Sequence, residues 1–303
     1  MKGFIGFTKR NLLIYFKDIQ SVFFSVMTSI IVLGLYLLFL RNNFVDAITS
    51  ALGDLEKLID MSDCDVLVDG ILLSGVIGTA MITVPFNCLS TIIKDKEYKI
   101  DYDISATPLK RWQIILSYFL SSAVSAFIMT GVILTVGLVA LSQTGDLHMA
   151  PEMILGAYGV VLLGCISATA FFMIIMLFFK SSSASSAFFG ILSAASGFVI
   201  GAYLPISQFS KTVQTFCNLF PASHITALMR NVLLNGVLEN IDKSIGGLDN
   251  GMFIDTMKEV FTFNPYAFGM DFTQQKMVLY AIAITLACII IMIFAYSKTY
   301  KRK

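Results

Sequence analysis

The residues of this chain that could carry chemistry are few and poorly arranged for it. A serine nucleophile needs a base within hydrogen-bond reach. Ala195-Ser196-Gly197 has the small flanks of an intramembrane serine protease, yet the only histidines, His148 and His224, lie outside every long apolar run. There is no His-Glu-x-x-His to hold zinc and no Gly-x-x-x-x-Gly-Lys-Ser/Thr to cradle phosphates. The five cysteines show neither Cys-x-x-Cys nor zinc spacing. Cys88, Cys165 and Cys288 fall in apolar runs and read as packing residues. Cys64 and Cys217 fall outside those runs, and both a disulfide and two separate thiols stay open for them. The carboxylates Asp46, Asp54, Glu56, Asp60, Asp63, Asp65 and Asp69 lack the ladder and glycine of a calcium loop, and read as part of a solvated short helix. The chain is expected to catalyse nothing and to hold no metal or cofactor of its own.

Composition explains where these groups must sit. Of 303 residues, 56% are hydrophobic and only 14% are charged, which overrides the two-domain prior that length alone would suggest. A helix needs about 20 mostly apolar residues to cross hydrocarbon, and six stretches qualify: 21–40, 71–93, 113–141, 153–179, 186–204 and 277–297. The runs are continuous rather than alternating, so they predict helices and not a barrel. Six spans place both termini on one side. Fourteen of the 21 basic residues fall there and seven on the other side (Arg41, Lys57, Lys211, Arg230, Lys243, Lys258, Lys276), which also takes fifteen of the 20 acidic residues. The positive-inside rule then makes the termini cytoplasmic. No charge falls in the middle of a span, where pumps and voltage sensors place theirs. A net charge of +1 offers nothing to nucleic acid. The first span is too long for a signal peptide and is expected to be retained.

In chain order, residues 1–20 predict an amphipathic interfacial helix. Phe4, Ile5, Leu12, Tyr15, Phe16 and Ile19 share one arc and Lys2, Lys9, Arg10 and Lys17 the next. Pro85 and Asn87 interrupt the second span and predict a kink, which either lines a path or shapes packing. Small residues crowd the third span and the fifth, where Ser193, Gly197 and Gly201 repeat every four residues, as close helix packing requires. The segment 205–276 is external. Its half-apolar part, 216–236, predicts a re-entrant or interfacial piece starting near Phe220-Pro221 and Ser223 and stopping at Gly236. Turns and a short helix are expected beyond it.

The densest charge lies in residues 93–112, where nine of 20 positions are charged, so this segment must be an aqueous loop. Asp95-Lys96-Glu97 forms an acidic-basic-acidic triplet, and Thr107-Pro108-Leu109-Lys110-Arg111 leads through Trp112 into the third span. Placed after the second of six spans, with an amphipathic helix in front and a partly apolar external segment before the last span, this pattern resembles the permeases of the ABC-2 type, the membrane subunits of ATP-driven exporters. Three positions depart from it: many members carry glycine where Lys99 stands, and two leucines where Ile104-Ser105 stand.

The resemblance implies an all-α membrane protein with six transmembrane helices, of type V exporter-like architecture, the whole chain 1–303 forming one transmembrane domain. It implies that loop 94–112 is a coupling helix seated in a separate ATPase subunit. Asp95, Lys96, Glu97, Asp101, Thr107, Pro108, Leu109 and Arg111 would form that element, with ATP and Mg on the partner. It implies a dimer with a second copy or a related permease in the cell membrane. Pro85, Asn87, Ser193, Gly197, Gly201, Phe220 and Pro221 would serve the path or the subunit interface. An apolar, phenylalanine-rich interior suits an amphipathic drug, antibiotic peptide or lipid-linked molecule more than a small ion. A secondary transporter or channel working without an ATPase is the other reading.

Overall fold

A computed structural model describes residues 2–53, 58–246 and 248–299. Asp54, Glu56 and Lys57 of the acidic stretch, and Lys301, Arg302 and Lys303 of the basic carboxyl end, lie outside the described residues. The chain folds as α1 (Lys2–Lys17), α2 (Ile19–Leu35), a π turn (Tyr36–Leu40), α3 (Arg41–Leu52), α4 (Met61–Cys88), α5 (Ser90–Glu97) and α6 (Ile100–Ala106). It continues with α7 (Arg111–Thr144), α8 (Pro151–Met176), α9 (Ser182–Val199), α10 (Lys211–Cys217), α11 (Pro221–Ile245), α12 (Met252–Val260), a two-stranded hairpin β1–β2 (Tyr266–Ala267, Met270–Asp271) and α13 (Gln274–Thr299). Six helical stretches are long and apolar enough to cross a membrane: Ile19–Ser50, Met61–Glu97, Arg111–Thr144, Pro151–Met176, Ser182–Val199 and Gln274–Lys298.

The core forms around α4, which is apolar on all sides and buried along nearly its whole length. α2, α7, α8, α9 and α11 pack around it, and α13 closes the bundle against α7, α8 and α11. Pro85 sits in the last turn of α4, and the helix breaks at Leu89 before resuming as α5. Pro85 thus stands one turn before the joint between α4 and α5.

Several boundaries differ from those read in the sequence. α4 begins at Met61, ten residues before the expected start, because its outer carboxylates are held by the chain itself. Arg41 pairs with Asp65 at 2.6 Å and with Asp69 at 2.9 Å, and Asp63 accepts from Asn240 at 2.8 Å while its other oxygen lies 3.2 Å from His148. Asp63, Asp65 and Asp69, read as part of a solvated acidic helix, are thus internal ties, while Asp46 stays exposed. All five cysteines are buried thiols, so no Cys64–Cys217 bridge forms.

α11 starts at Pro221 as expected but runs past Gly236 to Ile245, stopping at Gly246 in the left-handed region. A side chain at Gly236 would strike the carbonyl of His148, so this glycine serves a close approach and not a helix end. α11 is also not a surface piece, being buried against α4, α8 and α13. Its first turn lies level with the second turn of α13, where Tyr280 donates to the Leu219 carbonyl at 2.8 Å and the His224 ring packs on Tyr280. That is six residues beyond Gln274, or about 9 Å along the helix.

Arg230, in the middle of α11, is buried and forms no ion pair with a carboxylate among the described residues. Its guanidinium donates to the carbonyls of Ile200 and Gly201 at the end of α9 and of Phe261 at the end of α12. Two helix carboxyl ends thus supply the negative partial charge that a carboxylate would.

Candidate functional site

The charged loop is built from both sides of the membrane-spanning bundle. α1 docks on the start of α7 through a face spaced at three and four residues, Phe4, Phe7, Asn11 and Tyr15. Phe7 meets Tyr118 edge-on at 5.2 Å, and the Tyr15 hydroxyl donates to Ser25 of α2 at 2.9 Å. Ile5 and Ile19, grouped with Tyr15 by the sequence reading, instead face away from the chain. Asp18 ends α1 by capping α2, accepting from the Ser21 amide at 3.1 Å, and it also pairs with Lys94. Burial pushes the Asp18 carboxyl up, but the hydrogen bonds from Lys94 and Ser21 outweigh it and hold it down at about 2. The Asp18 carboxylate, which ties the α1–α2 joint to α5, is therefore ionised at neutral pH.

Each member of the Asp95-Lys96-Glu97 triplet reaches a different part of the bundle. Asp95 is buried and takes both ends of the Arg10 guanidinium, at 2.6 and 2.9 Å, plus the Tyr118 hydroxyl at 2.5 Å. That joins α5 to α1 and α7. Lys96 donates to the carbonyls of Met176 and Leu177 at the end of α8, at 3.4 and 3.2 Å. Glu97 accepts from the amide of Ser182 at 3.1 Å, and from its hydroxyl, at the start of α9. A helix leaves partial negative charge at its carboxyl end and partial positive charge at its amino end. Adjacent residues of opposite sign thus cap the two helix ends that flank the 177–181 turn.

The rest of the loop turns back toward the membrane. Lys99 stands between α5 and α6 with φ +61°, the left-handed conformation in which glycine is unstrained. This is the position at which the resemblance expects glycine. Ile104 is buried and pins α6, Asp101 begins it half-buried, and burial pushes the Asp101 carboxyl up. Thr107 donates to the Ile104 carbonyl and extends into Pro108, which cannot continue the helix. Leu109 packs against Gly3 of α1. Arg111 donates to the Ser297 carbonyl at 2.8 Å, tying the start of α7 to the last turn of α13.

Above the loop a cleft of about 370 Å³ opens between α2 and α9, floored by α4 and α5. Ser21, Phe24, Phe86, Asn87, Lys94 and Phe189 line it. Phe86 stacks on Phe189 at 5.7 Å, and the Asn87 Nδ2 is a buried donor with no acceptor among the described residues. Pro85 lies just behind, within the core.

The other expected path residues do not gather here. Ser193 is half-buried along α9. Gly197 makes room for the Tyr203 ring, which a Cβ would meet at 2.3 Å, and Gly201 takes the left-handed turn after α9 at φ +68°. Phe220 packs between Phe171 and Phe216, and Pro221 is the buried first residue of α11.

The sequence reading missed Arg10, Tyr118 and Asp18 as partners of the loop, and no local pattern marks contacts 23 to 85 positions apart. It also passed over Tyr98 and Tyr102, whose aromatic character within a charged run is visible in the sequence. Comparison with individual characterised proteins finds no match to the chain. The sequence profile of the ABC-2 family transporter proteins matches residues 17–297, which takes in the loop, its partners on α7, α8 and α9, and all six long apolar helices. A multi-pass bundle carrying this loop after its second span, matched over nearly its whole length, belongs to the ABC-2 family of transporter proteins, as the permease subunit of an ABC transporter.

Proposed function

We propose that the chain is the permease of an exporter, driven by two separate ATPase subunits that bind ATP and Mg, and that it moves an amphipathic substrate out of the cytoplasm or inner leaflet. The observation that carries this reading is the fixing of loop 94–112 to α1, α7, α8, α9 and α13 by named hydrogen bonds and ion pairs. A lever held at so many points passes a rigid-body movement to the spans, which a loose loop cannot do. In this reading the protein sits in the cell membrane with both termini cytoplasmic, and the first turn of α11 re-enters the bilayer from outside.

The cleft beside the lever is the entry for substrate. Its aromatic walls suit an apolar body, its mouth carries Lys94 and Asp18, and Asn87 offers a donor that costs about 1–3 kcal/mol to leave unsatisfied. An amphiphile with a carbonyl or ether near its head fits that set.

The chain reconstituted in proteoliposomes with an ABC ATPase tests this. Amphiphile-stimulated ATP hydrolysis is expected, with Asn87→Ala raising the half-stimulating concentration about tenfold, the equivalent of 1.4 kcal/mol. If no ATPase associates and substrate moves instead with an imposed ion gradient, the exporter reading falls and the secondary-transporter reading replaces it.

A further inference from the structure

We propose that the surface by which this permease engages its ATPase is the exposed pair Tyr98 and Tyr102, rimmed by Lys99 and Asp103, and that the charged triplet beside them stays bonded to the permease's own helices. This rests on the reading that loop 94–112 meets an ATPase, and it names the contact within that reading.

The argument is one of availability. Asp95 is buried between Arg10 and Tyr118, Lys96 holds the end of α8, Glu97 holds the start of α9 and Arg111 holds the end of α13. A partner that bound these charges would have to break the ties that make the loop a lever. What the loop offers outward is different. Tyr98 is 72% exposed and Tyr102 69%, and among the described residues neither ring makes a side-chain hydrogen bond or a ring contact.

These rings are held firmly from behind. Tyr98 closes α5, whose preceding three residues are all tied down, and Tyr102 lies on α6, whose opposite face is pinned by Ile100 and Ile104 in the core. A tyrosine on a fixed backbone has only two side-chain torsions to order on docking, and tyrosine is among the residue types enriched in interface hot spots.

The chemistry of the partner follows. Lys99 and Asp103 cancel in charge, so the complementary surface is a near-neutral groove with an apolar floor for two rings and polar groups at its rim. It is not an acidic or basic patch. Docking of this kind depends weakly on salt, whereas docking through the triplet would be screened.

The test uses the full chain in nanodiscs and an ABC ATPase subunit that co-expression has shown to bind it, with affinity measured for wild type, Tyr98→Ala plus Tyr102→Ala, Tyr98→Phe plus Tyr102→Phe, and Glu97→Gln. The alanine pair is expected to weaken binding by about thirtyfold or more. The phenylalanine pair should stay within about fivefold of wild type, and Glu97→Gln within about threefold. Raising salt from 50 to 500 mM should change wild-type affinity by less than about fivefold. Both tyrosines face solvent, so an unchanged thermal midpoint of the alanine pair certifies its fold. Undiminished binding by the alanine pair, or a loss confined to Glu97→Gln and high salt, overturns this proposal and leaves the exporter reading standing. If no ABC ATPase binds the wild type at all, both fall together.

Discussion

At the scale of single residues, the loop shows charges serving architecture. Asp95 has Arg10 on both of its oxygens within a largely buried pocket, and removing one partner of such a pair leaves an uncompensated charge at a cost of several kcal/mol. Lys99 shows the opposite case, a side chain retained at a conformational cost. A non-glycine residue in the left-handed region costs about 1–2 kcal/mol, partly offset by the greater backbone entropy that glycine loses on folding. Lys99→Gly should therefore leave the thermal midpoint of the purified permease unchanged or raise it, while Lys99→Ile should lower stability by about 1 kcal/mol or more. Differential scanning fluorimetry in detergent reads both, and a lower midpoint for the glycine variant would show that Lys99 makes a stabilising contact of its own.

At the scale of elements, the proposed coupling makes the turn between α8 and α9 the place where a movement of the loop enters the bundle. It is short, it joins two helices packed beside α4, and its ends are capped by Lys96 and Glu97. Cutting one cap should uncouple rather than dissociate. Glu97→Ala is expected to keep ATPase binding and most ATP hydrolysis while export per ATP falls about tenfold in proteoliposomes. Retained export with full coupling would show that α9 is driven through α4 alone. The π turn of Tyr36–Leu40 allows α2 and α3 to form one continuous stretch, with Tyr36 buried against Tyr203 and α4. π turns of this kind are frequent at functional sites.

At the scale of the whole molecule, one chain leaves α9 half uncovered. Ala187, Gly190, Ile191 and Ala194 lie exposed at helical spacing, while Gly197 and Gly201 are engaged within the chain. A dimer with a second copy or a related permease, as the resemblance implies, would use that small-residue face, since small residues let helices approach closely in lipid. Gly190→Trp is expected to shift the purified permease from dimer to monomer in light scattering, and an unchanged mass would remove α9 from the interface. The sequence alone determined the six spans and the position of the loop, because hydrocarbon admits only long apolar helices and excludes a segment with nine charges. It also marked the α11 start at Pro221, since proline acts through local backbone geometry. What only the tertiary structure decided is which charges face inward. The partners of Asp95, Lys96 and Glu97 lie 85 positions before it, and 23 to 85 after them, and a side chain's direction on a short helix depends on what folds against it. The same holds for α11, whose modest apolarity reads as an interfacial piece until α4, α8 and α13 close around it. Local spacing sets the elements; the packing of distant elements sets which of their residues remain free to meet a partner.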